Sequence, residues 1–200
     1  MQNNKIFILL PDGIGLRNFA YSDFQAIGLQ EDFDVVFWNN TPFDLTELGF
    51  KEIRIRNSKS HPLTETYKNA RKQVELNLSI RGTKDCVYDT YRFPFSYSTF
   101  AKAIKSGVTQ LLSFTHSSKY GLKRIRGKIK QEERKTLYYH QCLETLEKEK
   151  PAMVFCTNQR PMTAIAPLLA AQELGIPTAT FMFSWDNLPK ARMALQADKY

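Results

Sequence analysis

Cysteine is scarce in this 200-residue chain. Cys86, Cys142 and Cys156 are the whole set, and no two form a Cys-x-x-Cys pair. An odd count without paired spacing argues against a disulfide framework and against a thiolate zinc site. The expectation is reduced, buried thiols in a cytoplasmic protein, with no metal required. Long apolar runs are also missing. The first, Ile6 to Leu10, ends at Pro11 and Asp12 and is too short for a signal-peptide core. The next, residues 164–171, is interrupted by Pro167, well short of the roughly 20 residues that cross a bilayer. Any membrane contact is therefore expected to be peripheral, at the inner face. Internal repeats and low-complexity linkers are absent as well, which excludes solenoids and tethered arrays.

What remains is an ordinary globular composition, with 42% hydrophobic and 24% charged residues, enough for one domain with a sizeable core. The net charge of +8 is uneven. From Lys119 to Lys135 eight Lys or Arg residues stand against Glu132 and Glu133 alone. Such a patch attracts anions: a phosphate-bearing substrate, an anionic membrane or nucleic acid. Leu122, Ile125 and Ile129 recur at helical spacing among these cations, which suits either a helix lying on an anionic interface or a solvated helix face. No nucleic-acid motif accompanies the charge, so nucleic acid is not expected as a partner.

Apolar runs place strands at residues 5–10, 33–39, 51–56, 152–157 and 178–184. The first, fourth and fifth are nearly continuous, as in parallel strands covered on both faces. Helices are expected at 17–27 and 161–174, the second opened by Pro161 and stopped by Gly175. Strand and helix in alternation predict an α/β fold, a doubly wound Rossmann-like parallel sheet. Between the third and fourth strands, 64–80, 96–114 and 122–149 look helical. That is far more chain than a crossover needs. The expectation is one domain over 1–200 with a large helical insertion at about 58–150, the whole being the amino-terminal half of something longer.

In an open sheet of this kind, ligands bind beyond the carboxyl ends of the strands. Four groups fall there. Asp12-Gly-Ile-Gly-Leu-Arg-Asn18 follows the first strand, and Gly13 and Gly15 either let backbone N–H groups approach a phosphate or only satisfy a turn. Arg17 and Asn18 would stand at the helix start. A dinucleotide fingerprint would want glycine at Asn18 and an acidic residue at Asn39 or Asn40, so NAD is not expected. Asn158 and Arg160 end the fourth strand, as hydrogen-bonding groups and a bidentate clamp, or as helix caps. Ser184, Trp185, Asp186 and Asn187 end the fifth. There Trp185 would stack on a sugar or fill a hole between helices, and Asp186 and Asn187 would bond hydroxyls or cap a turn. His61 and Asp12 are the candidate general bases, against the alternative that His61 is a solvated loop histidine. The glycine turn and the Trp-Asp-Asn turn are expected to share one crevice.

Gly13-Ile-Gly-Leu-Arg-Asn-Phe19, Glu173-Leu-Gly-Ile-Pro177 and Phe183-Ser-Trp-Asp-Asn187 together resemble the amino-terminal half of bacterial glycosyltransferases of the GT-B architecture. The resemblance covers the sheet elements and not the helical stretch. It implies an acceptor-binding domain whose partner domain holds a nucleotide sugar, with no bound cofactor, a glycan or lipid-linked acceptor, and no activity for this piece alone. Rival expectations are a nucleotide-sugar epimerase of the same architecture and a non-catalytic domain docking on an anionic membrane or partner.

Overall fold

Phe7, Ile8, Leu9 and Leu10 lose all solvent exposure because strand β1, Lys5–Leu10, lies at the centre of a sheet covered on both faces. On one face Ile8 and Leu10 join Leu16, Phe19, Val35 and Phe37 in a single cluster. On the other, Phe7 meets Trp38 with ring centroids 5.6 Å apart. The structure, a computed structural model, describes residues 4–92, 94–182 and 184–200, with the backbone alone at Asp186.

The remaining strands are β2 (Asp34–Asn39), β3 (Glu52–Arg54), β4 (Met153–Cys156) and β5 (Thr178–Thr180). They lie in the order β3-β2-β1-β4-β5, and every neighbouring pair is parallel. This is an α/β sheet compatible with a Rossmann-like fold, and its winding reverses between β1 and β4. β5 is shorter than the run 178–184 suggests. On the edge away from β4 the tail pairs with it: Thr180 N–H donates to Lys199 O at 3.1 Å, and Thr178 O accepts from Asp198 N–H and Lys199 N–H.

Helix α1 (Gly13–Phe19) starts four residues earlier than expected, because the Asp12 side chain accepts from Ile14 N–H at 3.1 Å and caps it. The single helix expected over 17–27 is broken. Ser22 Oγ donates to Asn18 O at 2.8 Å and accepts from Phe24 N–H at 3.4 Å, and the chain restarts as α2 (Phe24–Gln30). Likewise 122–149 is two helices, α5 (Lys119–Glu133) and α6 (Leu137–Glu149), since Thr136 caps Tyr139 N–H at 3.1 Å. α6 packs on α7 (Ile165–Glu173), which in turn covers β4 and β5.

The chain forms two compact units: a sheet unit of residues 1–60, 134–183 and 195–200, and a helical unit of 61–133 and 184–194. α6 thus belongs with the sheet, and the Ser184 to Asn187 segment with the helices. The helical unit holds α3 (Thr64–Thr83), α4 (Phe100–Thr115) and α5, with single 3₁₀ turns at Cys86–Tyr91 and Trp185–Asn187. Ala70 and Val74 of α3 pack on Ile125 of α5, with Leu112 of α4 and Leu122 beside them. The apolar seam of α5 is therefore turned inward, with Ile125 and Ile129 buried, while Lys123, Arg124 and Lys128 reach solvent. Cys86 is exposed rather than buried, whereas Cys142 and Cys156 are buried. Burial pushes the Cys156 thiol up to about 12. No helix among the described residues is long and apolar enough to cross a membrane.

Candidate active site

In open α/β sheets the gap at such a winding reversal binds ligands, and Asp12, Gly13, Gly15, Asn158 and Arg160 lie on the segments that follow β1 and β4. Asn158 Nδ2 donates to Asp12 Oδ2 at 2.7 Å, bridging the two loops. Asn158 Oδ1 accepts from Arg160 N–H at 3.2 Å, so one buried amide orders both sides of the gap. The floor is fixed by residues that sequence reading passed over. Asn40 Nδ2 and Thr163 Oγ1 each donate to Pro11 O at 3.0 Å. Thr157 Oγ1 donates to Leu9 O at 3.0 Å, and its side chain lies where a Cβ on Gly15 would come within 2.0 Å. The available signal was positional, since each is a polar residue at or just beyond the end of an apolar strand or beside a helix start.

The glycines do different things from those expected of a phosphate loop. Gly15 is required by the close approach of Thr157, while Gly13 has open space around it. The negative group at the α1 amino terminus is the Asp12 carboxylate itself, which stands where a bound phosphate would otherwise sit. Arg17 lies in the last turn of this seven-residue helix and not at its start, because capping by Asp12 begins the helix at Gly13. Arg17 and Asn18 are both exposed. Close to the gap, buried Gln159 donates through Nε2 to Leu195 O, and its Oε1 has no hydrogen-bond partner.

The other candidates belong to the helical unit. His61 precedes α3, and its Nδ1 accepts from Leu63 N–H at 3.3 Å while Nε2 lies 3.6 Å from Glu132 Oε2. Its backbone N–H donates to Glu133 Oε1 at 3.1 Å, and Thr64 Oγ1 donates to the same oxygen. His61 thus joins the start of α3 to the end of α5, by its backbone N–H on Glu133 and by the longer contact of its ring with Glu132. Trp185 is 79% exposed, Ser184 is half-buried and Asn187 is buried with Oδ1 unpartnered. The Asp186 side chain lies outside the described residues. Gly13 and Trp185 fall in different units, so neither unit by itself builds the shared crevice expected from sequence.

Within the helical unit a cleft of about 460 Å³ separates α3 from α4, lined by Lys72, Gln73, Lys102, Lys105, Ser106 and Thr109. Burial first, then the charges of Arg192, Arg71, Lys68 and Lys190, pull the Lys72 ammonium down to about 8. Arg71, also buried, is lowered to about 10 by desolvation against the opposing pull of Glu75, and its guanidinium donates to Ala191 O. No group of His, Cys, Asp and Glu side chains among the described residues is arranged to hold a metal. Compared with known proteins, the chain matches no protein-family model, no curated protein and no solved structure.

Proposed function

We propose that this chain is the acceptor-side domain of a nucleotide-sugar-dependent glycosyltransferase of GT-B architecture, with α3 to α5 inserted between its third and fourth strands. The observation that carries this reading is the Asp12–Asn158 pair at the reversal of an all-parallel sheet. A carboxylate held by a buried amide accepts hydrogen bonds from hydroxyls, and the gap is where open α/β sheets bind ligands. An acceptor hydroxyl would bond to Asp12, with Arg160 and Asn158 orienting its neighbours. In the transfer, the acceptor oxygen bonds to the anomeric carbon, the bond from that carbon to the diphosphate oxygen breaks, and the acceptor proton passes to Asp12. Asp12 is favoured over His61 as base because it follows β1 at the winding reversal, whereas His61 belongs to the helical unit. The leaving diphosphate would be held by the partner domain.

The test is release of nucleotide diphosphate by the protein together with its donor-side domain, over a panel of nucleotide sugars with glycan and lipid-linked acceptors. Release that depends on acceptor and falls at least 100-fold in Asp12→Asn supports the reading. Turnover without acceptor would point to an epimerase instead, and no release from any donor would remove the enzyme reading.

A further inference from the structure

Helix α4 is amphipathic with its two faces exchanged. The positions it buries are Ser106 and Thr109, which line the cleft against α3. Their hydroxyls are satisfied locally, Ser106 Oγ by Ser96 O at 2.8 Å and Thr109 Oγ1 by Lys105 O at 2.7 Å. The apolar residues point the other way. Phe100, Ile104, Val108, Leu111 and Phe114 follow at intervals of four, four, three and three, one stripe of a helix, and all five are exposed. Phe100 and Phe114, at the two ends, are 83% exposed, and Leu111 is 62% exposed. At 1.5 Å per residue the ridge is about 21 Å long. A contiguous apolar ridge in water costs free energy unless something covers it.

Charge identifies the cover. The helical unit holds sixteen Lys or Arg residues against seven acidic ones, a net +9, so the sheet unit, at −1, contributes none of the chain's excess of +8. From Thr90 to Gln131, the segment containing the whole ridge, forty-two residues include nine Lys or Arg and not one Asp or Glu. Lys123, Arg124 and Lys128 on α5 are exposed, and Tyr97 and Tyr120 lie exposed on the segments flanking α4. An apolar stripe ended by aromatics, within a segment free of acidic groups, has the composition of an interfacial helix on an anionic bilayer. A protein partner or a second copy of this chain would cover the stripe without requiring forty-two residues free of carboxylates.

We propose that α4 docks this protein on anionic membranes, inserting Phe100, Ile104, Val108, Leu111 and Phe114 among the lipid chains while the exposed cations of α5 contact phosphate headgroups. The apolar seam of α5 stays in the protein core, so α5 contributes charge alone. This surface does not depend on the sugar-transfer reading, since it would act in a protein without catalysis.

The experiment is flotation of the 200-residue chain with vesicles of phosphatidylcholine, with and without phosphatidylglycerol. Flotation with the mixed vesicles only is expected. The Phe100→Ser, Leu111→Ser, Phe114→Ser triple variant should bind at least about tenfold more weakly with an unchanged circular dichroism spectrum. Lys123→Glu with Lys128→Glu should weaken binding and flatten its salt dependence. Leu111→Trp gives an independent readout, a blue-shifted emission on mixed vesicles relative to the unsubstituted protein. Failure to float, equal flotation with neutral vesicles, full binding by the triple variant, or no blue shift would each overturn the proposal. So would light scattering showing a dimer that the triple variant converts to monomer, because a second copy would then be the cover.

Discussion

Asn158 Nδ2 lies 2.7 Å from Asp12 Oδ2, closing the space between the loops that leave β1 and β4. Through this contact one carboxylate serves two roles, capping α1 at Ile14 and accepting from a buried amide. Asp12→Ala should therefore lose the cap and the bridge together, at a cost of about 1–2 kcal/mol in urea unfolding. Asn158→Ala removes the bridge and the acceptor of Arg160 N–H but leaves the cap. If Asp12 and Asn158 act as a pair, a double-mutant cycle will show a coupling of roughly 0.5–1.5 kcal/mol, and strict additivity would refute the pairing.

Gly15 tests how tightly the same turn is built. A Cβ there would lie 2.0 Å from Thr157 Oγ1 and 2.4 Å from Thr157 Cβ, and Thr157 is buried and bonded to Leu9 O. Neither side can give way cheaply, so Gly15→Ala should destabilise the protein by about 1–3 kcal/mol. Gly13→Ala meets nothing within 4 Å and sits inside a helix, so it should be neutral or slightly stabilising. Thermal melts of the two variants side by side decide the matter, and equal melting temperatures would contradict the close approach.

Lys72 predicts a pH dependence. Its folded pKa of about 8 lies below the ordinary 10.5, so the folded state releases this proton before the unfolded state does. Between those values the unfolded chain binds more protons, and stability should rise with pH through that window as the folded state sheds an unfavourable charge. Below about 8 the charge is carried in both states and its cost is fully present. Lys72→Met should therefore gain about 1 kcal/mol at pH 7 and flatten the stability profile between pH 8 and 10.5. A wild-type profile already flat across that range would count against the depressed value.

Glu133 predicts where the helical unit is most sensitive. Its buried carboxylate accepts from the His61 backbone N–H and the Thr64 hydroxyl, tying the start of α3 to the end of α5. Glu133→Ala leaves both donors without that acceptor and should cost about 2–4 kcal/mol. His61→Ala keeps the backbone donor and should cost under about 1 kcal/mol. If His61→Ala instead abolished transfer without affecting stability, His61 and not Asp12 would be the base.

How much was legible in the sequence differs from element to element. β1 was readable residue for residue, because a strand covered on both faces must be apolar throughout. The break between α1 and α2 was not, since it turns on Ser22 bonding its own neighbours in a stretch that continues a helical pattern. Of the candidate site, the turn after β1 and the end of β4 were visible as polar groups closing apolar runs, and the sheet brings them together. The segment from Ser184 was expected to complete the same edge, but β5 stops at Thr180 and that segment belongs to the helical unit.

The sequence by itself determined that α5 is a basic amphipathic helix and that the stretch of α4 is helical, since both follow from spacing and composition. Only the tertiary structure decided that α5 turns its apolar face inward and α4 turns its own outward. Periodicity records that a helix has an apolar side, whereas which side is covered depends on what the neighbouring helices already fill. Against α3 that space is taken by Ile125 and Leu112, which leaves the α4 ridge facing out.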